Sequence, residues 1–396
     1  MDLKPTSLRI LQLPSYFIPM GGEFCFDQSI ALQDKGMNVS IVANVIIPFQ
    51  SAFHFKQYPL HDFVRIEGGI PVYRHFQRNI PKTLKPNLTR WIHSTKRMVE
   101  AYIEKNGTPD LIHAHSWQFA GYVCSLLKEE YHIPYIITEH SGTLNPIAKQ
   151  IDTLLANHWI ADKLQKAYLH ADAVIGVSQN VIDGIQSIIG NTTPTYVISN
   201  LIDTDFFTIS PKKQAHLDFI FAAANSNLPE KAYDVLFKAF DIVFEQNQHV
   251  RLRIAGDKFH TKATLKILST SHSFSHIEFL GWQQPQGIRA LLWDADAFIV
   301  SSRVESQSIA TLEAMSTGLP IVATEVIPTS MLTPQTGFRV PIDDPQQLAD
   351  AMMKMINSAH TFDRQFIRSQ AVALAHPEKV VSQIITVYNN ILQHQT

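Results

Sequence analysis

Cysteine is nearly absent from this chain. Cys25 and Cys124 are its only two, each in an apolar context. Such a pair reads as buried free thiols and excludes a disulfide framework or a cysteine-rich zinc site. Long apolar runs are missing too: nothing approaches the roughly eighteen unbroken apolar residues of a membrane-crossing helix. The opening MDLKPTSLRILQLPSYF holds a short, strand-like run with no small-residue cleavage pattern behind it, so no export leader is expected. Excess charge of either sign is also lacking. The formal net charge is −2, which gives no global signal for a nucleic-acid partner. A reducing, cytoplasmic setting is the expectation.

What is present is length and alternation. The 396 residues, 45% of them apolar, suffice for two domains with full cores. Short apolar runs alternate with longer amphipathic segments. Strands are expected at Leu8–Leu13, Val39–Ala43, Leu111–Ala114, Tyr135–Thr138, Ala173–Val177 and Tyr196–Ser199. After the turn-like cluster NLIDTDFFTISPKK the series restarts with Phe219–Ala223, Arg251–Ala255, Ile277–Leu280, Ala297–Val300 and Ile321–Ala323. Helices are expected at Glu23–Lys35, Leu88–Lys105, Gln118–Glu130, Ala148–His170, Ala232–Gln246, Ser308–Thr317 and Gln346–Asn357. Strands this short, apolar on both faces and separated by helices, predict two doubly wound α/β domains with parallel sheets. The expected divisions are 1–205, 206–376 and a closing helix, 377–396, with Val381, Ile384, Ile385, Tyr388 and Leu392 on one face, packing back toward the first domain. A ligand belongs beyond the carboxyl ends of the strands.

The most informative stretch is SSRVESQSIATLEAMSTGLPIVAT, Ser301–Thr324. It reads as strand, loop and helix, with Glu305 on the loop and Glu313 on the second helical turn. Unpaired N–H groups and the positive dipole end at a helix start suit a phosphate. Two carboxylates beside them suit sugar hydroxyls. A surface helix with exposed glutamates is the plainer reading. Elsewhere, Gly21 and Gly22 precede a helix and serve either a tight turn or a close backbone approach to a ligand. His113 and His115 share a strand face, but no third metal ligand lies near, and His115 is nearer the strand end. Thr138, Glu139 and His140 close an apolar strand, as site residues or as a capping loop. Lys231 sits at a helix start, where a cation is unfavourable unless an anion such as phosphate is near; a solvent-facing lysine offset by Glu230 is the alternative. A basic segment, 74–105, carries Arg74, Arg78, Lys82, Lys85, Arg90, Lys96, Arg97 and Lys105 against Glu100 and Glu104. It reads as a solvated helix face or as a peripheral contact with an anionic membrane at the inner face of the cell membrane.

Taken in order, these segments resemble glycosyltransferase family 4, the group 1 glycosyl transferases of GT-B fold, over nearly the whole chain. GGEFCFDQSIALQDKGMNVSIV, PDLIHAHSWQFAGYV, IPYIITEHSG, HADAVIGVSQNVIDGI, VISNLIDTDFF, LPEKAYDVLFKAF, IAGD, IEFLGW, DADAFIVSSRVES and TGLPIVAT follow in the family's sequence. The resemblance implies two Rossmann-like domains facing a central cleft, the first binding acceptor and the second nucleotide sugar. It implies retaining hexosyl transfer from a nucleotide-diphosphate sugar, without metal or cofactor, to a glycan or lipid-linked acceptor in polysaccharide biosynthesis. Residue by residue, it places Glu305 beside the donor sugar and Glu313 on the ribose hydroxyls. Ser308 and Ile309 fall at the diphosphate, His140 near the reacting carbon and Lys231 on the leaving diphosphate. Gly22 falls at the phosphates and Trp282 at the base. His115 is the candidate on the acceptor side, where loops such as Ile46–Asp62 are expected to form the surface.

The chain departs from the family pattern at definite positions. The usual Gly-Phe-Gly is Ser306-Gln307-Ser308, and no arginine precedes Lys231 across Asn225–Asn227. Leu201 follows Asn200 where glycine is usual, and the Gly-Gly and acidic residue after Thr324 are missing. Two alternatives therefore stand beside transfer: a nucleotide-sugar epimerase of the same architecture, and a non-catalytic sugar-nucleotide-binding relative.

Overall fold

A computed structural model describes residues 7–48, 57–59, 61–211 and 217–393. The chain forms two compact units. The first comprises Met1–Ser141, Gln150–Leu201 and Pro377–Thr396; the second comprises Gly142–Lys149 and Ile202–His376. Of the loop expected to carry the acceptor surface, residues 49–56 and 60 lie outside the described residues.

The first unit is built on eight strands: β1 (Arg9–Pro14), β2 (Asn38–Ile47), β3 (Phe63–Glu67), β4 (Ile70–Arg78), β5 (Leu111–His115), β6 (Tyr135–Glu139), β7 (Ala173–Gly176) and β8 (Thr195–Val197). Their order is β3-β4-β2-β1-β5-β6-β7-β8, parallel except for the antiparallel β3–β4 pair. The strand order reverses between β1 and β5, where Gln12 stands opposite His113 and Pro14 opposite His115. Both β5 and β6 are buried along their full length, as strands covered on two faces must be.

The second unit holds β9 (Phe219–Ala224), β10 (Val250–Ala255), β11 (Ile277–Gly281), β12 (Ala297–Val300), β13 (Ile321–Thr324) and β14 (Gly337–Val340), all parallel, in the order β11-β10-β9-β12-β13-β14. This is the Rossmann order, and its crevice opens at the carboxyl ends of β9 and β12.

Several expectations need correction. The continuous helix predicted over Ala148–His170 is two, Ile151–Leu155 and His158–Leu169, because Asn157 caps a new start by accepting from the Ile160 amide at 3.3 Å. The helix after the first paired glycines ends at Asp34, and that expected over Gln118–Glu130 runs Tyr122–Tyr131. Strands β3, β4 and β14 were not anticipated. β4 is interrupted by partly buried Pro71, Tyr73, His75 and Arg78, and β3 is an edge strand with Val64 and Ile66 exposed, so neither shows the continuous apolar run of its neighbours. The closing helix, Pro377–Gln393, belongs to the first unit, and its buried stripe is Val380, Val381, Ile384, Val387, Tyr388 and Ile391. Ile385 is only partly buried and Leu392 is intermediate. The stripe is centred one residue away from the expected face and packs with Ile10, Val39 and Ile41.

Candidate active site

In the second unit the chain leaves β9, makes a short 3₁₀ turn over Pro229–Lys231 and enters the helix Tyr233–Gln246 through Ala232, whose φ is 50°. The loop after β12 is fastened to this turn. Ser301 Oγ donates to the Lys231 carbonyl at 2.8 Å, and the Arg303 amide to the Glu230 carbonyl at 2.7 Å. The Arg303 guanidinium grips Asp234 with two bonds, 3.0 and 2.9 Å, reaches Asp343 at 2.5 Å and donates to the Pro229 carbonyl at 2.7 Å.

This scaffold brings Lys231 and Glu305 together. Lys231 Nζ lies 2.8 Å from Glu305 Oε1, which also accepts from Ser302 Oγ at 2.8 Å. Glu305 is buried, at 7% exposure. The anion anticipated beside Lys231 was a phosphate, with Glu230 as the alternative; the partner in the structure is Glu305, and Glu230 accepts from the Arg303 and Val304 amides through its backbone carbonyl. Lys231, Ser301, Ser302, Ser308 and Ala310 line one small pocket with Asn225 and Tyr233.

The helix predicted from Ser308 runs Ile309–Ser316, with Ser308 as its cap, accepting from the Thr311 amide and from Thr311 Oγ1. Ser308 has φ 75°, a conformation normally left to glycine, so the family's glycine and this serine answer the same backbone demand. Glu313 stands on the second turn, half-buried. Burial alone pushes its carboxyl up to about 7. Trp282, just past β11, is exposed at 67%. Where the family places an arginine, Asn227 instead bonds Thr264 Oγ1 at 2.6 Å and Asn225 accepts from Tyr233 Oη at 3.0 Å through its carbonyl.

The first unit holds a second constellation. Gly22 has φ 83°, and a Cβ there would fall 2.0 Å from the Tyr16 carbonyl oxygen. Its bareness is therefore demanded by the chain's own turn, whereas Gly21 has open space above it. His113, His115 and His140 stack in sequence, with ring centroids 4.6 and 5.4 Å apart, and Phe24 stacks on His140 at 3.8 Å. His115 was expected to meet the acceptor; instead it is 1% exposed, with Gln12 on Nε2 at 2.7 Å and His140 on Nδ1 at 3.1 Å. Strand β5 is covered on both faces, so a side chain near its end still turns into the sheet's cover, and His115 orients His140. His113 is tied to Tyr388 and Thr138. Burial holds all three imidazoles well below the usual histidine range, so they stay neutral. Glu139 is fully buried and supports the loop, accepting from Tyr168 Oη at 2.6 Å, the Trp117 amide at 3.0 Å and the Ser141 amide at 2.7 Å.

The basic segment is less basic than its count. Arg74 is buried against Glu67, and Lys96 is shared by Glu100 and Glu130. Among the described residues no helix is long and apolar enough to cross a membrane, and no group of three or more His, Cys, Asp or Glu is arranged to hold a metal ion. Sequence reasoning missed Ser302, Arg303 and Asn145, which fix the Glu305 loop, and Gln12, which fixes His115. A serine or asparagine in a loop carries no signal of a long-range partner.

The chain matches Glycosyltransferase Family 4 over residues 22–206 and Glycosyl transferases group 1 over residues 217–358. Among curated relatives, the Bacillus subtilis glycosyltransferase TuaC, assigned to teichuronic acid biosynthesis, is 22% identical over 79% of each chain. N-acetyl-alpha-D-glucosaminyl L-malate synthase of Bacillus anthracis is 22% identical over 72% of this chain and 75% of its own. Among solved structures, sucrose-phosphate synthase from Thermosynechococcus elongatus superposes with a TM-score of 0.78 at 17% identity, covering 98% of this chain and all (100%) of the other. Anabaena HepE in complex with UDP gives 0.71 at 19%, covering 97% and 100%. Together the two matched segments, the ordered motifs and the two parallel-sheet units show that the chain belongs to glycosyltransferase family 4, the group 1 glycosyl transferases of GT-B fold.

Proposed function

We propose that this enzyme moves a hexosyl group from a nucleotide-diphosphate sugar to a glycan or lipid-linked acceptor, with retention at the anomeric carbon and without a bound metal, in polysaccharide biosynthesis. The observation that carries the reading is the Lys231–Glu305 pair beside Ser308 at the carboxyl ends of β9 and β12. An ammonium has three N–H donors. One is spent on Glu305, and two remain for phosphate oxygens.

Departure of the diphosphate breaks the bond between the anomeric carbon and a phosphate oxygen, and the electron pair leaves with that oxygen. An acceptor hydroxyl oxygen forms the new bond to the carbon while its proton passes to the departing phosphate. Lys231 and the amides at the Ile309 helix start stabilise the charge that builds there. The sugar gains oxocarbenium character, which the carboxylate of Glu305 favours. Both protein donors to its carboxylate fall on Oε1, leaving Oε2 for the substrate. Glu313 accepts from the ribose hydroxyls, Trp282 frames the base, and His140, held by His115, contacts the donor sugar. Gly22 keeps the loop before its helix tight near the phosphates. Lys82, Lys85, Arg90, Arg97 and Lys105 remain for peripheral contact with an anionic membrane carrying the acceptor. The name of the Bacillus subtilis relative supports a place in glycan assembly.

The test is transfer from a panel of UDP-, GDP- and ADP-sugars, with the product's anomeric configuration read by NMR, with and without EDTA. A retained anomer, unchanged by EDTA and slowed about a hundredfold or more in Glu305→Gln, is expected. An inverted product, or an epimer formed from donor alone, contradicts the proposal.

A further inference from the structure

We infer that Asn145 is a positioning residue that holds the Glu305 loop in its reactive geometry. The inference rests on the role proposed for Glu305. Its starting point is the division of the chain: Gly142–Lys149 follows the His140 segment directly yet belongs to the second unit.

Asn145 is fully buried in that unit, at 0% exposure. Both protons of its side-chain amide are spent on backbone carbonyls, that of Glu305 at 2.9 Å and that of Val326 at 3.1 Å. Its Oδ1 accepts from the Ile147 amide at 3.1 Å and caps the short turn Pro146–Ala148. The two carbonyls lie in different loops, one after β12 and one after β13, so a single side chain ties them together. Gly142 adds close contact: a Cβ there would stand 2.8 Å from Val304 Cγ1 and 3.0 Å from the Glu305 carbonyl carbon.

The loop is thereby held on separate counts. Lys231 and Ser302 hold the Glu305 carboxylate. Thr324 Oγ1 donates to the Ser302 carbonyl at 2.6 Å. Asn145 reaches the backbone of Glu305 itself. Removing that bond strands a buried carbonyl, which relaxes by moving the loop. A shift of about 1 Å at a reacting group costs on the order of a hundredfold in rate, and supporting residues of this kind decide whether a site works.

Asn145→Asp separates the functions. It keeps the Oδ1 acceptor for Ile147 and loses both donated bonds. Turnover, donor KM, affinity for the free nucleoside diphosphate that the wild type binds (UDP, GDP or ADP) and Tm are measured for this variant, alone and combined with Glu305→Gln. The expected result is a turnover number at least about tenfold lower, with KM and nucleotide affinity within about threefold. In the Glu305→Gln background the same change should add less than about twofold, because coupled residues are not additive. Wild-type turnover in Glu305→Gln contradicts the role of Glu305 itself. An impaired Glu305→Gln beside an Asn145→Asp variant within twofold of wild type overturns the inference, and so does an equal, additive loss in both backgrounds. Asn145→Ala serves if the aspartate variant does not fold. Failure of both to fold assigns Asn145 to general stability and overturns the inference as well.

Discussion

Glu305 and Glu313 lie close in the chain but in different surroundings. Glu305 is paired with Lys231 and Ser302; Glu313 has burial without a compensating donor, and its carboxyl rises from 4.5 to about 7. That rise corresponds to roughly 3 kcal/mol held against ionisation. Between those two values the folded chain binds a proton that the unfolded chain does not, so Glu313 makes stability fall as pH rises through this window. Ribose hydroxyls donating to the carboxylate favour the ionised form, so nucleotide affinity should instead rise up to pH about 7 and level off above it. Glu313→Gln should raise Tm at pH 8, weaken nucleotide binding several-fold and flatten both pH profiles, as followed by calorimetry. An unchanged affinity profile in that variant removes Glu313 from the ribose. These positions were legible in the sequence as candidates, because two carboxylates and a lysine lie beside helix starts, though a surface helix explained the glutamates as readily. Their mutual arrangement was not legible: the Lys231–Glu305 bond spans loops far apart in the chain, and His115 is buried by neighbours that its own strand does not reveal.

At the scale of elements, the helix Ile309–Ser316 begins at a serine held in a conformation normally left to glycine. Ser308 adopts φ 75°, which strains a residue bearing a Cβ by about 1 kcal/mol. Its hydroxyl caps Thr311 in return, and replacing a serine cap by glycine costs only a few tenths of a kcal/mol. Relief of strain is the larger effect, so Ser308→Gly should raise Tm by about 1–3 °C, whereas Ser308→Ala, losing the cap and keeping the strain, should lower it by about 2–4 °C. A fall in the glycine variant of calorimetric size equal to that in the alanine variant shows that the hydroxyl matters more than the backbone. Strands buried on both faces were readable as short apolar runs, among them β5, β6, β9 and β12. β3 and β4 escaped because Arg65 in one and Arg74, His75 and Gln77 in the other interrupt their apolar residues. The break before His158 escaped because Asn157 stops one helix and starts another inside a continuous amphipathic pattern.

In the whole molecule, two sheets in two units carry the Lys231–Glu305 cluster and the histidine stack. The restart of the strand series near residue 210 made the two sheets legible. The transfer of Gly142–Lys149 to the second unit was not, because nothing in TLNPIAK marks which core it joins; its contacts with Val304 and Glu305 are tertiary. On the role proposed for Lys231, the altered Gly-Phe-Gly and the missing arginine leave it as the principal cation for the leaving group. Titration calorimetry of UDP, GDP and ADP against the wild type and Lys231→Ala tests this most directly. One nucleoside diphosphate should bind, and its affinity should fall about tenfold or more in the variant. Equal binding by both proteins, or none by the wild type, would contradict a diphosphate site at Lys231.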